Sequence, residues 1–366
     1  MFMKYQVLCV FGGCSLEHEI SILTALALFE HEFIHYELIP LYIDHQGRWY
    51  SGEVLKQRAC YIQNEFRYLN EVELRRLKKG IYLYEKGFLR RKRKIDFVLP
   101  LLHCKNGEDG VFQGYLKMLN IPYGFSHVMT CALAHDKGIL KHMLQDGGVH
   151  VVPFFEVCSD DEMNEALYEK SRRLKYPLIV KPSGSGSSIG IEVVEDVYAF
   201  QKALAKAFQY DHHVIVERYF PRIREFHGAI IKDGNHYEIS AIEEIIRNDE
   251  IFSFEEKYEQ DHKNKFVQAD IEADLMEEIK ATLKQCADII RLQGMVRIDM
   301  LYANDQLYVN EINVIPGSLA MHLWKENMDI ETLLSKMIRI GLKQYEQDKQ
   351  LCNVHPVDFQ LLHHKK

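Results

Sequence analysis

The feature that most constrains this chain is a regular alternation near its start. Residues 5–11 form a strand-length apolar run, residues 17–33 an amphipathic stretch, and residues 36–43 a second apolar run. Short runs rich in β-branched and aromatic residues, separated by a stretch of helical period, predict a βαβ unit, because two parallel strands need a crossover to return the chain. A further run at 95–102, then Gly107-Glu108-Asp109-Gly110 and a helical 111–119, extends this to an open α/β domain over residues 1–125.

Residues 127–145 read as one long helix ending at Gly147-Gly148, followed by a strand at 151–157 and a helix at 161–174. From Pro177 the texture changes to strand 178–181, a glycine and serine loop, strand 191–195, helix 199–209 and strand 214–219, an α+β module over 126–220. Beyond it, runs at 226–231, 237–246, 296–302 and 307–314 read as antiparallel strands, with a helix at 273–292 between the second and third. This third α/β unit covers 221–350 and leaves a peripheral tail, 351–366. The polar segment 248–268 has little periodicity, and in a compact enzyme such a stretch is usually a functional loop. At 366 residues, 47% of them hydrophobic, the chain has material for more than one core.

Charge narrows the partners. A formal net charge of -8 argues against bulk attraction to nucleic acid or to an anionic membrane. The basic run Arg90, Arg91, Lys92, Arg93, Lys94 is the local exception and reads as a solvated approach to the next strand rather than a phosphate patch. Residues 1–11 hold too short an apolar run for a signal peptide or a spanning helix, so the expectation is a soluble, cytoplasmic protein. The 8 cysteines lack any CxxC pair, and several sit in apolar runs, as reduced core thiols do. No histidine spacing suggests a metal site.

Four segments could carry chemistry. Lys181-Pro-Ser183-Gly184-Ser185-Gly186-Ser187-Ser188-Ile189-Gly190 offers unobstructed backbone N–H groups and hydroxyls after a lysine, a loop able to wrap phosphate oxygens or simply to turn a hairpin. It lacks the GK[ST] of a Walker loop, and a strand rather than a helix follows. Arg297-Ile-Asp299 and Glu311-Ile-Asn313 lie on successive strands. With a three-residue turn at 304–306, Asp299 faces Glu311, and Asn313 shares the face of Glu311. Two carboxylates and an amide inside a buried hairpin suit a hard cation that bridges phosphates. Gly12-Gly13-Cys14-Ser15-Leu16-Glu17 runs from a strand into a helix N-terminus, which attracts anions. His103 sits where an apolar strand ends, the place where ligands gather in open α/β sheets.

In this order the segments resemble the ATP-grasp superfamily, and within it the D-alanine--D-alanine ligases. FGGCSLEHEIS is similar to the family's FGGxSxEHEVS, HCKNGEDGVFQGYL to HGxxGEDGxxQGxL, and IVKPSGSGSSIG to IVKPxxxGSSxG. FSFEEKY resembles YDYExKY, and VRIDML with VNEINVIPG resembles xRIDxM with EINTxPG. The likeness spans residues 5 to 335 and implies an ATP-grasp fold with an N-terminal open parallel sheet, and a homodimer in solution.

The resemblance also implies roles. Adenine and ribose would lie along Glu217 and Arg218 and against Glu225. The phosphates would meet Lys137, Lys181 and the loop residues Ser183, Gly186 and Ser188, with Lys257 nearby. Asp299, Glu311 and Asn313 match the ligands of two Mg²⁺ ions, with Mn²⁺ an alternative. Glu17, Ser187 and Tyr258 match a hydrogen-bonded triad around the first D-alanine, His103 a residue beside it, and Arg297 the arginine that stabilises the tetrahedral centre. Gly317 and Ser318 follow in the stretch that meets the second substrate. The chain departs from the family there: Val314-Ile-Pro-Gly-Ser-Leu-Ala-Met-His322 replaces Thr-x-Pro-Gly-x-Thr with a later serine. The expected reaction is ATP-dependent joining of two D-alanines for peptidoglycan precursors. The alternatives are a sister ligase with D-serine, D-lactate or another amino acid as second substrate, or a catalytically silent nucleotide-binding protein.

Overall fold

The computed structural model describes residues 4–87, 91–246 and 267–351. It opens with β1 (Tyr5–Gly12), α1 (His18–Phe29), β2 (Tyr36–Ile43), β3 (Trp49–Tyr50), α2 (Arg58–Ile62), β4 (Val72–Leu77), β5 (Gly80–Glu85), β6 (Lys92–Ile95), β7 (Phe97–Pro100) and α3 (Val111–Met118). Strand order in the first sheet is β3-β2-β1-β7, with β1 parallel to both β2 and β7. The central strand is buried along Val7–Phe11, so it reads as a continuous apolar run, as a strand covered on both faces must.

Two expectations need correction here. The first helix ends at Phe29, four residues short of the stretch read from the sequence. The basic run is no mere approach to a strand: Lys92–Ile95 is itself the edge of an antiparallel sheet of order β4-β5-β6. That sheet escaped the sequence reading because β4 alternates buried Val72 and Leu74 with solvent-facing residues and then ends in exposed Arg75, Arg76 and Leu77. A short edge rich in Lys and Arg also discourages pairing with another chain.

Next come α4 (Val128–His135), α5 (Lys137–Asp146), β8 (Phe154–Cys158), α6 (Glu165–Leu174), β9 (Leu178–Pro182), β10 (Glu192–Val194), α7 (Val197–Ala207) and β11 (His213–Arg218). The single helix expected over 127–145 is therefore two. Asp136 is extended, and its carboxylate accepts the Ile139 N–H at 3.0 Å, so an N-cap restarts the helix and directs Lys137 along a new axis. The strands form a wholly antiparallel sheet, β10-β9-β11-β8, with its own core of Val180, Phe200, Leu204 and Val214.

The rest comprises β12 (Arg224–Asp233), β13 (His236–Ile245), β14 (Val267–Gln268), α8 (Ala273–Ile289), β15 (Gly294–Ala303), β16 (Gln306–Asn313), α9 (Met321–Trp324) and α10 (Ile330–Gln350). These strands make a five-stranded antiparallel sheet, β14-β13-β12-β15-β16. Its apolar face shares one core with the first sheet, running from Phe11 and Phe97 through Phe125 and Leu140 to Phe226, Met300 and Trp324. Each such side chain, fully buried, contributes about 1.5–3 kcal/mol relative to exposure. Among the described residues no helix is long and apolar enough to cross a membrane, and the seven described cysteines are free thiols.

Candidate active site

A cleft of about 470 Å³ separates the β10-β9-β11-β8 sheet from the five-stranded sheet, and a smaller cavity of about 100 Å³ adjoins it under α1. Lys137, Ser185, Gly186, Ser187, Arg297, Glu311 and Gly317 line both.

One wall is cationic. β9 and β11 pair so that Lys181 faces Ile215 and Val180 faces Val216, which brings Lys181 beside Glu217. The Glu217 carboxylate lies 2.8 Å from Lys181 Nζ and 2.9 Å from Lys141 Nζ, and all three side chains are buried. The Coulombic attraction of Glu217 is the larger part of its pull on Lys141. Burial pulls the Lys141 ammonium down to about 8 despite Glu217, while the two ammonium groups overcome burial to hold Glu217 below the usual carboxylate range. Two cations share one carboxylate out of solvent, an excess of positive charge that an anion would relieve. Lys137, the first residue of α5, donates from Nζ to the carbonyls of Ser185 at 2.5 Å and Ser183 at 3.3 Å. Ser183 Oγ donates to Asp136 Oδ1 at 2.9 Å and accepts the Gly138 N–H at 3.2 Å. The glycine and serine loop is thus pinned to the start of α5.

The opposite wall is acidic. Asp299 on β15 pairs with Glu311 on β16, and Asn313 pairs with Arg297. The connecting turn is Asn304-Asp305, both with positive φ, one residue shorter than the sequence reading supposed. The missing residue reappears as an irregularity after Asp299, where the register jumps from Glu311 to Val309 and leaves Asn310 unpaired. Asp299 therefore faces Glu311 because of a bulge, not because of the turn. Arg297 clasps Asp299 through Nε and Nη2 at 2.7 and 2.8 Å, and Asn313 Nδ2 donates to Asp299 at 3.1 Å. Burial would raise the Asp299 carboxyl, but Arg297 and His227 outweigh it and keep the group ionised. Three oxygen-bearing side chains, one of them a buried anion, fit a hard divalent cation.

His227, two residues beyond Glu225 on β12, belongs to this wall. Its ring nitrogens lie 3.1 Å from Glu225 and 3.1 Å from Glu243, and Nε2 lies 3.8 Å from Asp299. Burial pushes the imidazole down, yet Asp299, Glu225 and Glu243 raise it to about 9. Glu243 also pairs with His322 at 3.1 Å, and these two histidines, prevailing over burial, bring its carboxyl to about 2. His322 is one of the residues at which the chain departs from the family pattern, and it lines the cleft near Ser318.

The smaller cavity lies at the meeting of α1, the loop after β7 and the glycine loop. Ser187 Oγ donates to Glu17 Oε1, tying the loop to the helix start. Glycine at 186 leaves room for that approach: a Cβ there would sit 2.4 Å from Glu17 Oε1 and push the carboxylate aside. His103 is fully buried, and burial with the nearby Arg297 charge lowers its imidazole to about 4, so it is neutral. Its Nε2 lies 2.9 Å from Thr24 Oγ1, which also accepts the Ser318 N–H at 3.1 Å. Ser318, Leu319 and Ala320 all adopt left-handed φ, at about 1–2 kcal/mol per residue for a chain of L-residues. Glu108 accepts backbone N–H groups of Cys104 and Ile315 at 2.8 and 3.1 Å, while burial and then Glu17 push its carboxyl up to about 8.

Of the residues singled out in the sequence, Glu17, His103, Lys137, Lys181, Ser187, Ser188, Glu217, Arg218, Glu225, Arg297, Asp299, Glu311, Asn313, Gly317 and Ser318 all line these two cavities. Ser183 lies behind the loop, and Lys257 and Tyr258 fall outside the described residues. The sequence reading missed Thr24, Glu108, Lys141, His227 and Glu243. Lys141 follows Lys137 by four residues on one helix face, and His227 follows Glu225 by two on one strand face, so both spacings were available as signals. Nothing in the sequence marked Glu243 or Thr24. A further histidine cluster, His18, Glu19 and His45, has ligand atoms within 4.8 Å of one another, but both His18 nitrogens are engaged, by the Gly13 carbonyl and the Tyr42 hydroxyl.

Family profiles described as D-ala D-ala ligase N-terminus and D-ala D-ala ligase C-terminus match residues 6–126 and 143–339. The chain belongs to the D-Ala-D-Ala ligase family. It is 34% identical over 354 residues to a D-alanine--D-alanine ligase of Thermosipho melanesiensis, covering 94% of this chain and 95% of the relative. Its fold is similar to the D-alanine-D-alanine ligase from Coxiella burnetii, with a TM-score of 0.82, 26% identity, and 95% and 96% of the two chains covered. It is also similar to the VanG D-Ala:D-Ser ligase from Enterococcus faecalis, with a TM-score of 0.76, 26% identity, and 94% and 100% covered. The fold is that of the ATP-grasp ligases, and the family uses ATP and a divalent metal.

Proposed function

We infer that this protein is an ATP-dependent D-alanine--D-alanine ligase that makes the dipeptide for peptidoglycan precursors. The observation that carries the reading is the glycine and serine loop, pinned by Lys137 on one side and joined through Ser187 to Glu17 on the other, facing Asp299, Glu311 and Asn313. Such a loop serves a phosphate chain and an amino-acid substrate at once.

An amino-acid carboxylate is a poor acyl donor. Its oxygen attacks the γ-phosphorus of ATP, ADP leaves, and an acylphosphate forms. The amine of the second D-alanine then attacks the carbonyl carbon, loses a proton, and inorganic phosphate departs. Lys137, Lys181 and the loop N–H groups neutralise the phosphate charge, and a bound divalent cation would add Lewis-acid stabilisation of the phosphoryl oxygens. Asp299, Glu311 and Asn313 would hold that metal, as a pair of Mg²⁺ ions, with Mn²⁺ able to substitute. Arg297 then has two duties, toward Asp299 and toward the oxyanion of the tetrahedral centre. Glu17 and Ser187, with Tyr258, hold the first D-alanine beside His103. Glu217, Arg218 and Glu225 border the adenosine, and Gly317 and Ser318 border the second amino acid. The loop role expected of segment 248–268 falls on residues of which 248–266 lie outside those described. We place the enzyme in the cytoplasm as a homodimer.

The test is an assay with ATP, Mg²⁺ and D-alanine, following phosphate release and identifying the product by mass, with D-serine and D-lactate as competing second substrates. D-alanyl-D-alanine as the main product, lost on chelation of the metal, is the expected result. Phosphate release that requires a different acceptor would replace the proposed second substrate.

A further inference from the structure

We propose that Thr24 is a positioning residue whose hydroxyl couples the donor side of the site to the acceptor side, joining His103 to the backbone of Ser318. The inference rests on the ligase reading above and adds a residue to it.

Three distant parts of the chain meet at this hydroxyl. Thr24 comes from the middle of α1, His103 from the loop after β7 and Ser318 from the loop after β16. Thr24 is 1% exposed, and its Oγ1 lies 2.9 Å from His103 Nε2 and 3.1 Å from the Ser318 nitrogen. His103 lines the smaller cavity and Thr24 and Ser318 the larger one, so the hydroxyl stands in the partition between them. The roles of the three groups are complementary. Ser318 N–H donates to Oγ1, and the hydroxyl proton is then free to go to Nε2 of a neutral imidazole. A hydroxyl can accept and donate at once, which a methyl group cannot.

The loop it holds needs holding. Ser318, Leu319 and Ala320 form a left-handed turn with no glycine among them, kept by the Thr24 bond at its first residue, by Leu319 N–H to the Pro316 carbonyl at 2.9 Å, and by burial of Leu319 and Ala320. This is the stretch in which the chain departs from the family pattern. Thr24 thereby sets where the acceptor amine meets the acyl carbon, and any shift of His103 with the donor is transmitted to Ser318.

Thr24→Val keeps the shape and deletes both bonds, and Thr24→Ser keeps both. The first readout is phosphate released per dipeptide formed with ATP, Mg²⁺ and D-alanine. The valine variant is expected to keep releasing phosphate while the ratio rises, and the D-alanine concentration for half-maximal dipeptide to rise about five- to tenfold, as loss of both bonds at the low end of their usual net strength implies. The serine variant should restore both. The second readout needs no activity: deuterium exchange of a peptide spanning 314–324 should quicken in the valine variant only. A wild-type ratio in Thr24→Val, an equal fall of both products with only a lower melting temperature, or unchanged exchange would each overturn the proposal. A wild-type enzyme that makes no dipeptide would instead overturn the ligase reading, and the exchange readout would still decide whether Thr24 holds the loop.

Discussion

The two walls of the cleft are built on opposite electrostatic plans. On the α5, β9 and β11 side, Lys141 and Lys181 hold one carboxylate, Glu217, while Lys137 holds the glycine and serine loop. On the β12, β13, β15 and β16 side, Glu225, Glu243 and Asp299 surround His227, Arg297 clasps Asp299, and Glu311 stands opposite Asp299 in the ladder. A triphosphate with its metal is a ligand of the same two-sided kind, anionic oxygens toward lysines and a cation toward carboxylates. One wall presents lysines and the other carboxylates to the cleft, so such a ligand complements both. The walls also differ in support: strands β9 and β11 of the cationic one rest on a small separate core, whereas α5 and the acidic wall rest on the large core shared with the first sheet.

The sharpest break in this comparison is Lys141→Met. It leaves the buried Glu217 with Lys181 alone, and losing one partner of a buried pair costs about 3–5 kcal/mol. The variant should melt well below the wild type and need at least tenfold more ATP for half-saturation, since Lys181 is drawn further toward Glu217. Adding Glu217→Gln should recover part of the melting temperature. Wild-type melting in Lys141→Met would mean the cationic wall does not depend on its hidden lysine.

The same comparison explains what could be read in advance. The loop Ser183–Gly190, the lysines beside it and the Asp299–Glu311–Asn313 set were legible because their residue types and spacing, taken in order, match the motifs of one family. Their support was not. The Asp299 and Glu311 pairing was anticipated through a three-residue turn, whereas a two-residue turn and a bulge at Asn310 produce it. The break at Asp136 carries no glycine or proline, so the periodic pattern of 127–145 hid it, and only the cap revealed it. The left-handed turn at 318–320 had no glycine to announce it. Tertiary contacts hold such features, and a linear pattern does not record them.

The acidic wall is tested by pH. His227 is raised from its ordinary value to about 9 by Asp299, Glu225 and Glu243 against the pull of burial. A basic group so raised stabilises the fold fully below about pH 6.5, its unfolded value, and the contribution fades as pH climbs through about 9. His227→Gln should therefore melt below the wild type at pH 6, by on the order of 3 kcal/mol in stability, with the gap closing by about pH 9.5. A gap that stays constant across this range would show that the imidazole is not the charge that balances this wall.

The smallest effect should come from a side chain that reaches from one wall to the other. Asn310, set free of the ladder by the bulge, places Oδ1 3.4 Å from Lys181 Nζ. That is a long contact to a neutral acceptor, so Asn310→Ala should cost less than about 1 kcal/mol, at most about a fivefold rise in half-saturating ATP, with turnover at saturation unchanged. A fall in saturated turnover instead would mean that the bulge fixes Glu311 as well as Lys181, and that the acidic wall draws its register from the same residue that steadies the cationic one.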